Sequence, residues 1–494
     1  MNRRKLSMNR RKFLKLTATT VTGSLSVAAA NVFAVEATPQ APSHLRVIGG
    51  PIGPIGTIWN LTPAQAGDYT QVQTVINNAA DGDTIQFPPG SFTWTGTVNT
   101  SLNLLYPDGS VKGKSINFFG DPTSRTTIYN SIPYAPSGNN TFMIGIHSSP
   151  NFTVEIKNID FIESPTISAG SGRGYLTFQI YGSFGTASQP ANWGQAFLVH
   201  DCTFQSMVAD NINKMVDVGQ SCRAVFWNCT WHGTGVVDLD GVEVQNGADT
   251  YPVLSTMGTL DTDGMHNLYF EDCTFNNIAG GYALDISDGA KVVVRYCTFN
   301  DSAIGSHGQD TAAYGYRHAE IYNNTFNLTA GNPAQVGACF SSRGGTFVFF
   351  NNVISANFSS SNVSALNFQV QAVSRAGTVL NCPTQYPVAR QCGQGWNGAS
   401  PAYASYSAWL AAGGTSGSYS YPQYAADGGG YVPDPNYIWG NTGPLNIYFA
   451  DITPDECGNR LTTAQFVQLN RDYFLSPKPN YTPYTYPHPL RATS

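Results

Sequence analysis

Charged residues make up only 11% of this 494-residue chain, so the places where they gather stand out. One such place runs from Lys214 through Asp238, Asp240, Asp285 and Asp288 to His307, with Asp310, Arg317, His318 and Glu320 close behind. These residue types suit two kinds of bond cleavage. In an elimination, a cation neutralises an acid group while a base removes the neighbouring proton. Lys214, or Ca²⁺ held by Asp238, Asp240, Asp285 and Asp288, would supply the cation, and His307 or Arg317 the base. In a hydrolysis, two carboxylates flank the scissile bond, and Asp240 with Asp285 or Asp310 would serve.

Residues so far apart in sequence need a scaffold that brings them to one face, and a repeat supplies it. Seven segments share a pattern: VEIKNIDF, FLVHDCTF, AVFWNCTW, LYFEDCTF, VVVRYCTF, AEIYNNTF and FVFFNNVI. They end at Phe161, Phe204, Trp231, Phe275, Phe299, Phe326 and Ile354, at intervals of 43, 27, 44, 24, 27 and 28 residues. A short strand recurring at such intervals marks a solenoid, and period-two alternation marks each segment as a strand. The expected fold is therefore all-β, with coils stacked about 4.8 Å apart into parallel sheets.

Stacking turns each repeat position into a column. Cys202, Cys229, Cys273 and Cys297, continued by Asn324 and Asn352, form an internal ladder of small fillers. The remaining cysteines, Cys222, Cys339, Cys382, Cys392 and Cys457, include possible disulfide pairs. Four residues before each aromatic lies an outward column: Lys157, His200, Trp227, Glu271, Arg295, Tyr322 and Phe350. Its planar and charged members suit binding of a saccharide chain, with His200, Trp227, Arg295 and Tyr322 as contacts. The alternative is an ordinary outer sheet face, covered by the C-terminal segment. A second column, eight to ten residues after the aromatics, gives Lys214, Asp240, Asp285 and His307. Groups that titrate side by side perturb one another, as catalytic sites require.

Asp68 is placed to cap an amphipathic helix over 69–80, which would cover the open end of the first coil. Helix, DGDTIQFPPG turn and CTF/NNTF ladders together resemble the right-handed parallel β-helix of the pectate-lyase-like superfamily over residues 67–375. The resemblance implies a polysaccharide substrate, with elimination on a uronate-containing glycan as the leading activity and inverting hydrolysis as the alternative. A non-catalytic glycan-binding or adhesive β-helix is the third reading. The pectate-lyase R-x-P-x-x-R-x-G-x-x-H pattern is absent from DTAAYGYRHAEIYNN, so the family's catalytic arginine is not carried over.

At the N-terminus, Arg10-Arg11-Lys12-Phe13-Leu14-Lys15, a modest apolar stretch and Val32-Phe33-Ala34 resemble a twin-arginine export signal over residues 1–34. This implies a periplasmic or extracellular protein that is not membrane-inserted after cleavage. Losing seven basic residues with the leader changes the net charge from −6 to −13. That balance, with a pI of 5.7, argues against a nucleic-acid partner. Residues 35–66 read as a linker. Residues 376–494, rich in Tyr, Pro and Gly, read as an irregular segment docked on the solenoid.

Overall fold

The computed structural model describes residues 56–105, 111–133, 142–147, 152–163, 176–181, 196–206, 214–219, 223–233, 236–240, 267–276, 282–287, 290–306, 316–329, 337–359, 363–369, 394–396, 431–450 and 467–493. They form a parallel β-helix. Among the described residues, each coil of the middle of the chain contributes one strand to each of three parallel sheets, here named A, B and C, of 12, 9 and 10 strands, while coils at the two ends contribute to fewer. The coil Lys291–Arg295 (A), Thr298–Asn300 (B) and Ile304–Ser306 (C) is typical. Two short antiparallel ribbons, Ser101–Leu105 with Val111–Gly113 and Gln394–Trp396 with Tyr431–Pro433, lie outside the three sheets.

The repeat works because two residues suffice to turn the chain from sheet A to sheet B. Asn158, Asp201, Asn228, Asp272, Tyr296, Asn323 and Asn351 each take the left-handed conformation, with φ between +52° and +61°. Asn and Asp tolerate this region better than other side chains. The next residue points inward and forms the ladder. Cys202, Cys229, Cys273 and Cys297 are buried free thiols, and burial pushes the last three well above the usual thiol range. Asn324 and Asn352 continue the column with hydrogen bonds: the Asn324 Nδ2 donates to Val294 O at 2.9 Å and to Asn352 Oδ1 at 3.1 Å. Two residues further, Phe161, Phe204, Trp231, Phe275, Phe299 and Phe326 stack with centroids 4.7–5.6 Å apart. Offset aromatic stacks of this spacing add to the area they bury.

The solenoid extends beyond residues 67–375 at both ends. Ile58–Asn60 pairs with Thr84–Gln86 at the start of sheet A. The N-terminal helix spans Tyr69–Asn78, capped by Asp68 Oδ1 accepting from the Thr70 N–H at 2.9 Å, and buries Val72 and Ile76. At the far end the repeat returns within the segment expected to be irregular. Asn436–Trp439 joins sheet A, Thr442 bridges to Val353 of sheet B, and Ile447–Ala450 joins sheet C. Gly440 takes the left-handed turn position at φ +64°, where an added Cβ would lie 2.3 Å from Asn351 Oδ1. Asn441 then extends the asparagine ladder, its Oδ1 accepting from Asn352 Nδ2 at 3.0 Å. Residues 467–493 leave this last coil, and their packing carries them back along the outside of sheet A.

Candidate functional site

On the outer face of sheet C, alternation sends apolar residues inward and their neighbours outward. Val216, Val218, Leu284 and Ile286 are buried in the core. Between them, register pairs Asp217 with Asp238, and Asp238 with Asp285. Three aspartates therefore occupy one position on three consecutive strands, about 4.8 Å apart between backbones. Asp217 and Asp285 are recessed, at 7% and 8% exposure. The next register partner of Asp285 is Gly305.

Like charges directly opposite one another on neighbouring strands are destabilising unless something offsets them. The same molecule has a neutral solution for an outward polar column. On sheet B, Asn300 Nδ2 donates to Asn276 Oδ1 at 2.7 Å, and Asn327 Nδ2 donates to Asn300 Oδ1 at 2.9 Å. Where asparagine would serve structure, sheet C carries aspartate.

The structure redraws the column expected from sequence. Asp238 and Asp285 do share it. Asp240 lies two residues further along its strand and pairs with Ser287 instead. Lys214 pairs with Val236, across a register shift before Val216, and is three residues from the row member of its own strand, Asp217. Counting from the aromatics missed Asp217 because the turns from sheet B to sheet C differ in length. The local signal was an aspartate between two apolar residues: Val216-Asp217-Val218, Val237-Asp238-Leu239 and Leu284-Asp285-Ile286. Asp288, His307 and Asp310 lie outside the described residues. Arg317 is not brought to the row. Its Nη1 reaches Asp434 Oδ2 at 3.2 Å and Thr346 Oγ1 at 3.4 Å at the start of a sheet A strand. As for Ca²⁺, no three His, Cys, Asp or Glu side chains among the described residues gather closely enough to hold a metal ion.

The sheet A column is in register as expected: Lys157, His200, Trp227, Glu271, Arg295, Tyr322 and Phe350 are successive partners. It is not, however, an open ribbon for a saccharide. The C-terminal segment lies over it. Arg295, 0% exposed, donates through Nη1 to Tyr484 O at 2.7 Å and through Nη2 to Thr485 O at 2.6 Å. The Tyr322 hydroxyl accepts from Arg295 Nη1 at 2.7 Å, and burial holds this phenol above its usual range. The Arg491 guanidinium lies 5.7 Å from the Trp227 ring centroid. His200 stacks on Trp227 and places its two ring nitrogens against Glu155 and Asp201, at 2.9 and 2.6 Å. Burial opposes ionisation of Glu155, but His200 and Lys157 outweigh it and hold the carboxyl below its ordinary range. These side chains are spent on fastening the C-terminal segment and on one another.

No protein-family profile matches the chain, and no curated protein matches it. Among solved structures it is similar to an alginate lyase from Paenibacillus sp. str. FPU-7, at 11% identity and a TM-score of 0.30, covering 64% of this chain and 82% of that one. It is also similar to the catalytic domain of a GH87 α-1,3-glucanase, captured as a D1068A variant with tetrasaccharides. There the identity is 11% and the TM-score 0.22, covering 85% of this chain and 70% of that one.

Proposed function

We propose that this chain is a carbohydrate-active enzyme that hydrolyses a polysaccharide at the aspartate row of sheet C. The observation that carries the reading is the shared register of Asp217, Asp238 and Asp285. Asp217 and Asp285 stand two strands apart, about 9.6 Å between backbones. Inverting glycosidases separate their two carboxyl groups by roughly 6.5–9.5 Å, which leaves room for the attacking water. One carboxylic acid protonates the leaving oxygen, and the opposite carboxylate takes a proton from that water. The middle position, Asp238, adds negative charge where an oxocarbenium-like sugar develops positive charge.

Elimination on a uronate glycan, the activity that the sequence resemblance favours, is the second reading. A cation would then have to neutralise the uronate carboxylate, a role the sequence offers to Lys214, while His307 would act as base. Arg317, committed to Asp434, is removed from that role. A twin-arginine leader, which Arg10-Arg11-Lys12-Phe13-Leu14-Lys15 resembles, would put either activity outside the cytoplasm.

Incubation of the mature protein with polygalacturonate, alginate and α-1,3-glucan separates these readings. Hydrolysis gives new reducing ends without ultraviolet absorbance from an unsaturated product, whereas elimination gives both. Asp285→Asn is expected to lower turnover by about 10²–10⁴ while preserving the far-ultraviolet circular dichroism spectrum. Full turnover by this variant overturns the assignment of the row.

A further inference from the structure

We propose that Tyr282 is the sugar-binding platform beside the aspartate row, seating a pyranose ring so that its glycosidic bond lies at Asp285. The inference rests on the polysaccharide-cleaving reading above and adds to it a binding residue and a chain direction.

The observation is an unusual pairing at one register position. Gly305 is the direct partner of Asp285 on the next strand of sheet C. Its neighbours Ile304 and Ser306 are fully buried, so the missing side chain would point outward, as Asp285 does. That outward space is filled by Tyr282. A Cβ built on Gly305 would lie 2.0 Å from Cδ2 and 2.1 Å from Cγ of the Tyr282 ring. The ring therefore rests against bare backbone, where even a methyl group would displace it. Tyr282 is only partly buried where it packs against the core. It precedes the strand Leu284–Ser287, which carries Asp285, and reaches across to the following strand.

A sheet column that reads aspartate, aspartate, aspartate and then an aromatic ring suits one class of ligand. The C–H face of a pyranose packs on an aromatic ring, while its glycosidic oxygen needs a carboxyl group nearby. The step between neighbouring strands is about 4.8 Å, close to the length of one pyranose. A sugar on Tyr282 thus places its linkage beside Asp285, between the Gly305 and Asp285 strands, and the next sugar over the aspartate row. The polysaccharide would run along the solenoid axis, across the strands. The apolar platform favours pyranoses that present a flat C–H face on the side meeting the ring.

The test uses the full mature protein and whichever of polygalacturonate, alginate and α-1,3-glucan it cleaves. Tyr282→Ala should raise KM about tenfold, the scale of one aromatic contact. Its kcat should stay within a factor of about two, since uniform binding alone is removed. Tyr282→Phe keeps the ring and should behave as the parent protein. Gly305→Ala leaves the ring in the sequence but pushes it off its seat, and should reproduce the KM increase. Far-ultraviolet circular dichroism and thermal unfolding confirm that each variant is folded. An unchanged KM in both Tyr282→Ala and Gly305→Ala overturns the platform. Equal loss in Tyr282→Phe and Tyr282→Ala also overturns it, since the hydroxyl and not the ring would then matter. Full turnover by Asp285→Asn instead defeats the parent reading and leaves the KM comparison to stand alone. Neither turnover nor binding of any of the three polymers, the latter read by affinity electrophoresis, overturns both.

Discussion

Replacing Arg295 with methionine should release the C-terminal segment and destabilise the solenoid together. Arg295 and Glu271 are both fully buried, joined from Nε to Oε1 at 2.8 Å and from Nη2 to Oε1 at 2.5 Å. The Glu271 Oε2 accepts from the His488 N–H at 3.0 Å and from Arg491 Nη1 at 2.9 Å. The pair thus belongs half to sheet A and half to the segment that covers it. Removing one partner of a buried ion pair costs about 3–5 kcal/mol, because the other charge is left in a poor solvent. Arg491 and the His488 N–H still face Glu271, so the lower end, about 3 kcal/mol, is expected. The double variant Glu271→Gln/Arg295→Met buries no uncompensated charge and should recover at least about 1 kcal/mol of that loss. Urea unfolding followed by circular dichroism gives both values, and limited proteolysis within 475–492 reports release of the segment. A loss below about 1 kcal/mol in the single variant, or no recovery in the double, would refute the reasoning.

Three other outcomes follow from the same physics. Asp285→Asn should lower turnover by about 10²–10⁴ while leaving the unfolding free energy within about 1 kcal/mol of the parent, measured by scanning calorimetry. Asn324→Ala should cost about 1–3 kcal/mol, since the Cys297 N–H loses Asn324 Oδ1 at 2.9 Å and the buried Val294 carbonyl loses Asn324 Nδ2 at 2.9 Å. Stability should fall as the medium becomes acidic, in two stages. Burial holds His318 below its usual imidazole value, so the unfolded chain binds the proton first and stability declines once pH drops below about 6.5. Burial would raise the Asp434 carboxyl, but Arg317, His318 and Lys478 outweigh it and lower it. Its contribution, present above its unfolded value of about 4, is lost as pH falls through the lower folded value. An unfolding free energy that is flat from neutrality to pH 4 would contradict the His318 assignment, and one that does not fall further below pH 4 would contradict that of Asp434.

The scaffold was legible because its turn is short and constant. From His200 to Phe350 two residues separate each sheet A strand from its sheet B strand, so Phe204, Trp231 and their successors mark their strands, and the cysteine and asparagine ladder falls into place with them. The last coil was hidden by a single glycine. Asn436 to Thr442 reads NYIWGNT where earlier coils read AEIYNNT, and Gly440 does the work of an asparagine there. The site was harder to read because its turn varies. Asp217, Asp238 and Asp285 follow their aromatics at unequal distances, so a fixed count found Asp285, chose Asp240 beside Asp238, and took Lys214 for Asp217. The outer face of sheet A shows a different limit. His200, Trp227, Arg295 and Tyr322 are the right residues for a ligand, and what fills that place is the chain's own C-terminus. Repeat periodicity reveals which side chains line up and is silent on what lies above them.

A solenoid is close to a one-dimensional object in which each coil senses only its neighbours. The C-terminal segment changes that. Tyr481 reaches Glu320, Tyr486 reaches Asp272, and Leu490 packs beside Leu198 and Val225. Coils made early in synthesis are clasped by residues made much later. Until residues 481–491 have left the ribosome, the outer face of sheet A lacks this cover, and the clasp closes only once they emerge. Loss of residues 475–494 alone would leave every sheet strand intact in sequence yet free to open one at a time from its end.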